Sequence, residues 1–200
     1  MKIRLPLLVF FFFCAISLNA QTSGKSVRAG IEWGGSTLLL RSHHYNYITS
    51  DRYRVDDKSS YFAPCLNGYL YAHCGMNVND NLSTSLYAGF SGLSQKEAMF
   101  PIFLRSAWYP NGVDSNGLYY FADIGSAICQ YSFPILASVG LAHRMAIASW
   151  LDLDLLCGVR MLNCTPSIYD PDTGEEIIGE NLRMSTSSYY SLYLGLSLSF

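Results

Sequence analysis

Charge is scarce in this chain. Of its 200 residues only 14% are Asp, Glu, Lys or Arg, against roughly a quarter in an average soluble domain. The net charge is −2 and no basic stripe occurs, so there is no electrostatic footprint for nucleic acid. There is no CxxC pair and no Cys/His ligand spacing, and the cysteines beyond residue 20 (Cys65, Cys74, Cys129, Cys157 and Cys164) are odd in number. That argues against a disulfide framework and leaves a Cys129–Cys164 bridge between loop ends as the one conceivable pairing. Past residue 20 no uninterrupted apolar run reaches the roughly 17–20 residues of a membrane-spanning helix. Yet half the residues are hydrophobic and 14% are aromatic. The chain has the greasiness of a membrane protein without a helix to use it.

The first twenty residues stand apart. MKIR is a short basic start, Leu5 to Leu18 is an apolar run of 14 residues, and LNAQ offers small-residue cleavage after Ala20. This is the layout of a secretory signal peptide. Residues 1–20 are therefore expected to be removed, and residues 21–200 to form one domain.

Within that domain apolar residues recur at period two. Strands are expected near 26–40, 65–78, 82–93, 99–109, 117–128, 133–144, 149–163 and 188–200. Most soluble strands run 3–10 residues. These are longer, and a tilted strand crossing a bilayer needs about 9–11. One face of the last strand reads Tyr190, Leu192, Leu194, Leu196, Leu198, Phe200; one face of the seventh reads Leu151, Leu153, Leu155, Cys157, Val159, Met161. The first strand gives Ala29, Ile31, Trp33 and Leu39 by the same count.

The opposite faces hold the charge: Arg28, Glu32, Arg105, Asp123, Arg144, Asp152, Asp154 and Arg160, among Tyr, Ser, Asn and Gly. A soluble barrel would bury the grease and expose the charge. Four acids balanced by four bases instead suit a narrow interior in which each Arg meets a carboxylate, because an unpaired charge there is costly. An Arg or Lys at the lipid-facing midplane costs roughly 2–4 kcal/mol, and the apolar faces carry none. The pattern predicts an all-β fold, an eight-stranded antiparallel up-and-down transmembrane β-barrel. Its connections alternate short (79–81, 110–117, 145–149) with outer ones of which two are long, 41–64 and 164–187. Eight strands enclose a space that side chains fill, which argues against a pore.

FPIFLRSAWYPNGVDSNGLYYFADIGSA, FPILASVGLAHRM and the terminal YYSLYLGLSLSF resemble the small outer-membrane β-barrel family of Gram-negative bacteria, the OmpA/OmpX-like group, over residues 26–200. The resemblance implies residence in the outer membrane, lipid as a partner, and Phe200 as part of a C-terminal signal read by the barrel-assembly machinery. It also implies that the peptidoglycan-binding domain of longer OmpA proteins is missing. No cofactor and no metal are implied.

Three further features invite chemistry. Ser42, His43, His44 and Asp51 in the first long connection could serve a lipid-modifying enzyme, but their spacing matches no acyl-transfer or protease pattern. DPDTGEE (170–176) faintly resembles a calcium-binding turn, yet it is too short for an EF-hand loop and lacks the closing Glu. His73 falls on an interior face, where a hydrogen-bonded core histidine is the expectation, and His143 on the apolar side. The reading reached from sequence is a non-enzymatic barrel with a structural or surface-interaction role in 41–64 and 164–187, where an extracellular partner would bind. The alternatives are a lipid-modifying barrel enzyme and a soluble periplasmic barrel with an apolar ligand.

Overall fold

A computed structural model describes residues 27–94, 97–129 and 132–200. The expected signal peptide and its cleavage point lie outside the described residues. Eight antiparallel strands close into a barrel in sequence order: β1 (Val27–Ile48), β2 (Arg54–Asn79), β3 (Leu82–Ser94), β4 (Glu97–Trp108), β5 (Gly117–Ile128), β6 (Ser132–Ala148), β7 (Leu151–Thr165) and β8 (Leu182–Ser199). Closure is made by β1 and β8, in register from Gly30↔Ser199 to Tyr47↔Leu182. The last residue takes part: the Phe200 N–H donates to the Ala29 carbonyl at 2.8 Å, and the Ala29 N–H to the Phe200 carbonyl at 2.9 Å. Every strand in the ring thus has two neighbours, which removes the edge that an open sheet would present to lipid.

Burial follows the pleat and is inverted relative to a soluble barrel. Ile124, Val139, Leu155, Leu192 and Leu194 are exposed on the outside. Glu32, Arg105, Asp123, Arg144, Asp154 and Arg160 are buried inside. At the end where the described chain starts and finishes, here the lower end, Trp108, Tyr120, Trp150 and Phe200 are exposed, with Trp108 stacked on Tyr120 at 5.9 Å. At the upper end Phe90 meets Phe100 edge-on at 5.0 Å. These are two aromatic girdles. The path along β8 from Tyr190 to Phe200, at about 3.3 Å per residue and a tilt near 40°, spans roughly 25 Å. That is the height of the apolar band of an outer-membrane barrel.

The lower turns are short, and the longest carries glycine where the backbone demands it: Gly112 has φ +97° and Gly117 φ +132°. Inside, Gly34 and Gly195 face each other across the β1–β8 seam, and Tyr69 lies against them. A Cβ on Gly34 would stand 2.8 Å from the Tyr69 hydroxyl. The tyrosine therefore needs the glycines.

Two expectations are corrected at the upper end. Residues 41–64 are not a loop: β1 continues to Ile48, turns, and returns as β2 from Arg54, with pairing from Arg41↔Tyr61 to Ile48↔Arg54. Most of 182–187 is likewise strand, since β8 pairs with this upper part of β1 up to Tyr47↔Leu182. The result is a three-stranded wall above the rim on one side of the barrel. On the opposite side β3 and β4 turn back at Ser94↔Glu97. The second correction concerns Leu39. A register shift between Leu38 and Leu40 reverses the parity of β1, so Leu38 points inward and buried while Leu40 is exposed outside. β2 pairs with β3 only from Tyr69↔Ser91 downward. Among the described residues its upper stretch is a free edge, guarded by Asp56, Asp57 and Lys58 and closed by Pro64.

Candidate functional site

Two places gather the chemistry of this chain: the barrel interior and the upper wall.

In the interior, the residues that strand periodicity turns inward meet between strands: Arg105 and Asp123, and Arg144 and Asp154, are register partners on neighbouring strands, while Arg105 reaches across to Glu32 on β1. Arg105 on β4 holds Asp123 on β5 with two bonds, Nε–Oδ1 at 2.7 Å and Nη2–Oδ2 at 2.9 Å, and its Nη1 donates to Glu32 Oε2 on β1 at 2.6 Å. Asp123 also accepts from Ser138 Oγ on β6 at 2.5 Å. The guanidinium is sandwiched between the Phe121 ring at 4.1 Å and the Tyr87 ring at 4.4 Å. Below it Arg144 makes the same two-pronged contact with Asp154, at 2.9 Å on each side, and donates to the Val113 carbonyl at 2.8 Å. Asp154 further accepts from Tyr119 Oη at 2.9 Å. At the lower mouth Arg28 bridges Asp152 at 2.8 Å and Asp114 at 2.6 Å. Bidentate, ring-stacked guanidiniums are what a desolvated Arg requires if its burial is not to be ruinous.

Seven of the eight charged residues picked from sequence thus fall into two ion-pair networks, because Arg144 Nε also lies 3.8 Å from Asp152 Oδ2, and the eighth falls into neither. Arg160 is buried against tyrosine rings and makes no ion pair among the described residues. Its nearest ring is Tyr193, at 4.8 Å. Sequence reading missed Asp114, because it sits in a turn, and missed the ring stacking on Arg105, because that depends on the register of β4 against its neighbours β3 and β5. Tyr on the inward faces was the available signal. His73 is a core residue: it stacks on Tyr87 at 4.6 Å, and its Nε2 lies 3.2 Å from Ser197 Oγ. His143 is exposed on the outer face of β6. Charged and aromatic layers occupy the lumen, and two cavities among them measure about 30 and 10 Å³.

On the upper wall, the doublet His43–His44 faces the doublet Asp56–Asp57 across the β1–β2 hairpin. Because adjacent residues point to opposite faces, one pair forms on each side: His43 Nε2 to Asp57 Oδ2, and His44 Nε2 to Asp56 Oδ1, both at 3.0 Å. Ser59 Oγ is 3.1 Å from the same Nε2 of His43. Ser42 turns to Ser60 at 2.8 Å and Asp51 lies on the hairpin tip, so the four residues singled out from sequence do not converge. The Ser59–His43–Asp57 cluster lacks the layout of a nucleophilic triad. Asp57 and Ser59 both lie nearest Nε2, with Ser59 Oγ 3.5 Å from Nδ1, whereas a triad sets the carboxylate on one ring nitrogen and the serine on the other. His43 also stacks on Tyr45 at 4.6 Å, and Tyr45 Oη is 2.9 Å from Ser187 Oγ of β8.

The connection from β7 to β8 closes over the wall. Asp170 Oδ2 accepts from the backbone N–H of Ser50 at the hairpin tip at 2.8 Å. Its Oδ1 accepts from Asp172 N at 2.9 Å and Thr173 N at 3.3 Å. These donors, Ser50 first, hold the Asp170 carboxyl below its ordinary range. Ser185 Oγ donates to the Pro166 carbonyl and pins the other end of the connection. In DPDTGEE the first carboxylate is thus spent on backbone N–H groups, as an Asx turn spends it. Among the described residues no group of three or more His, Cys, Asp or Glu is placed to hold a metal ion. No disulfide joins Cys129 to Cys164, nor any other pair among the five described cysteines.

No protein-family description and no curated protein matches the chain. Among solved structures, Neisserial surface protein A overlaps 89% of this chain and 100% of its own, with TM-score 0.43 and 13% identity. The outer membrane protease OmpT of Escherichia coli overlaps 90% and 97%, with TM-score 0.42 and 8% identity. The outer membrane protein OprG of Pseudomonas aeruginosa overlaps 88% and 97%, with TM-score 0.42 and 12% identity. At such identity and TM-score these likenesses carry no argument about role.

Proposed function

We propose that the chain is an integral outer-membrane β-barrel of a Gram-negative bacterium, of the small OmpA/OmpX-like kind. It has no enzymatic activity and presents a surface built from the β1–β2 hairpin, 41–64, and the β7–β8 connection, 164–187. The observation that carries this reading is the inversion: a closed barrel with an exposed apolar belt between two aromatic girdles, around a lumen of buried Arg–carboxylate clusters. Water could not tolerate that belt, and only lipid covers it without cost. The filled lumen leaves the wall above the rim as the place for contact with a partner. That Asp57 and Ser59 both lie nearest the same ring nitrogen of His43 speaks against nucleophilic work there.

Carbonate extraction and outer-membrane fractionation test the location. The protein should stay in the membrane pellet and migrate differently on a gel before and after boiling; release by carbonate would restore the soluble reading. For activity, replacing His43 and His44 with Ala should leave the lipid A mass spectrum of the host unchanged. A changed spectrum would favour a lipid-modifying enzyme instead.

A further inference from the structure

Arg160 poses a problem that Arg105 and Arg144 do not. It is 2% exposed, yet no ion pair reaches it among the described residues. Its Nη1 lies 3.5 Å from Ser91 Oγ, while Nε and Nη2 find no acceptor. Arg41, higher on β1 and half-buried, is similar: it lies over the Tyr189 ring at 5.0 Å, its Nε has no acceptor, and no ion pair includes it among the described residues. Glu32 and Asp123 both bind Arg105. Asp57 is exposed above and turned to His43. Three guanidiniums therefore share two carboxylates in the upper lumen, which leaves one positive charge over among the described side chains.

A cavity of about 10 Å³ opens beside Arg160, walled by Ser36, Asn67, Ser191, Leu38 and Met99. Its polar lining is rich in donors. The guanidinium has nothing but N–H groups, and the hydroxyls of Ser36 and Ser191 are rotors that can point a proton inward. Asn67 directs its Nδ2 to the Leu93 and Cys65 carbonyls, at 3.3 and 3.5 Å, and its Oδ1 takes the Cys65 thiol. A pocket lined by a buried guanidinium whose Nε and Nη2 have no acceptor among the described residues, and by two hydroxyls, suits an acceptor carrying negative charge. Its volume admits a particle of about the size of a single water, which excludes phosphate or a carboxylate.

We propose that this cavity binds one small monovalent anion, a halide, held by Arg160 with the hydroxyls of Ser36 and Ser191. The anion neutralises the upper lumen and fastens β7, β1 and β8 around one centre. The flexible Met99 on the wall gives the slight extra room a halide needs over water.

The full chain, refolded in detergent, should unfold at a temperature about 2–4 °C higher in sodium bromide than in sodium gluconate of equal ionic strength, with saturation as bromide rises. Arg160→Met should abolish that difference. If Arg160→Met does not fold, Ser36→Ala with Ser191→Ala keeps the cation and should move the bromide midpoint about tenfold upward. Crystals grown in bromide should show an anomalous peak beside Nη2 of Arg160. Equal unfolding temperatures in the two salts without such a peak would mean a water occupant, and a bromide effect unchanged by these substitutions would mean a general salt effect. Either result overturns the proposal.

Discussion

Strands β1, β2 and β8 pass through two environments, and their side chains change at the boundary. Below the rim they alternate between Trp33, Leu70 and Leu194 on the outside and Glu32, Tyr71 and Tyr193 on the inside. Above it the same strands carry His, Asp, Ser and Lys on both faces, joined by the two His–Asp pairs at 3.0 Å. Backbone pairing is continuous across the change. What differs is what each region loses when a side chain is altered: the barrel wall separates an exposed apolar belt from a buried charged lumen, whereas each His–Asp pair of the upper wall has an aspartate that is more than half exposed.

The largest effect should come from the lumen. Arg105→Met strips Glu32 and Asp123 of their shared cation, and breaking one partner out of a buried pair costs about 3–5 kcal/mol. Urea unfolding of the refolded barrel in micelles measures it. Replacing all three together, as Glu32→Gln, Arg105→Met and Asp123→Asn, should recover much of the loss, because the penalty lies in the uncompensated charge and not in the missing bond. If the single and triple variants were equally unstable, the cluster would be holding the barrel by packing alone.

Next comes the belt. Leu194→Arg puts a guanidinium on the lipid face near mid-height and should cost roughly 2–4 kcal/mol in bilayers. The inward Ser197→Ala, only three residues along the same strand, should change little. Equal effects would erase the distinction between outside and inside on which the membrane reading stands.

The upper wall should respond far less. His43→Ala removes a contact to an Asp57 whose side chain is 56% exposed, and such pairs contribute about 0.2–1 kcal/mol. Global unfolding should move within that range, with faster amide exchange confined to residues 55–59. A loss as large as that of Arg105→Met would make the wall part of the barrel's core.

This gradient also explains what could be read from the sequence. The barrel was legible because one face of each strand is apolar and exposed while the other meets a charged lumen, so period two is written in the strongest contrast available. In 41–48 and 54–61 both faces are polar and the alternation disappears, so two paired strands looked like a loop. Parity itself failed at one residue: Leu39 sits at a bulge that no residue type announces. Charged positions were legible one by one, since charge on a long apolar strand has to point inward. Which carboxylate each Arg would meet was not, because partners such as Arg105 and Glu32 stand 73 residues apart and are joined only by closure of the ring.

The smallest and most local effect belongs to Asp170, and pH tests it. Its carboxylate takes N–H groups from Ser50, Asp172 and Thr173, and these hold it below the ordinary aspartate value of about 4. A group depressed in the folded state contributes stability that is fully present above its unfolded value and is lost as pH falls through its folded one. Protection of the Ser50 and Thr173 amides from hydrogen exchange should therefore be constant from pH 7 to about 5, then decline in more acidic solution while the barrel strands stay protected. Asp170→Asn retains a single acceptor oxygen and no charge. It should show reduced protection at neutral pH and no further acid decline. A wild-type acid response shared equally by β3 to β6 would place the titration in the lumen instead of at the clamp between the hairpin tip and the β7–β8 connection.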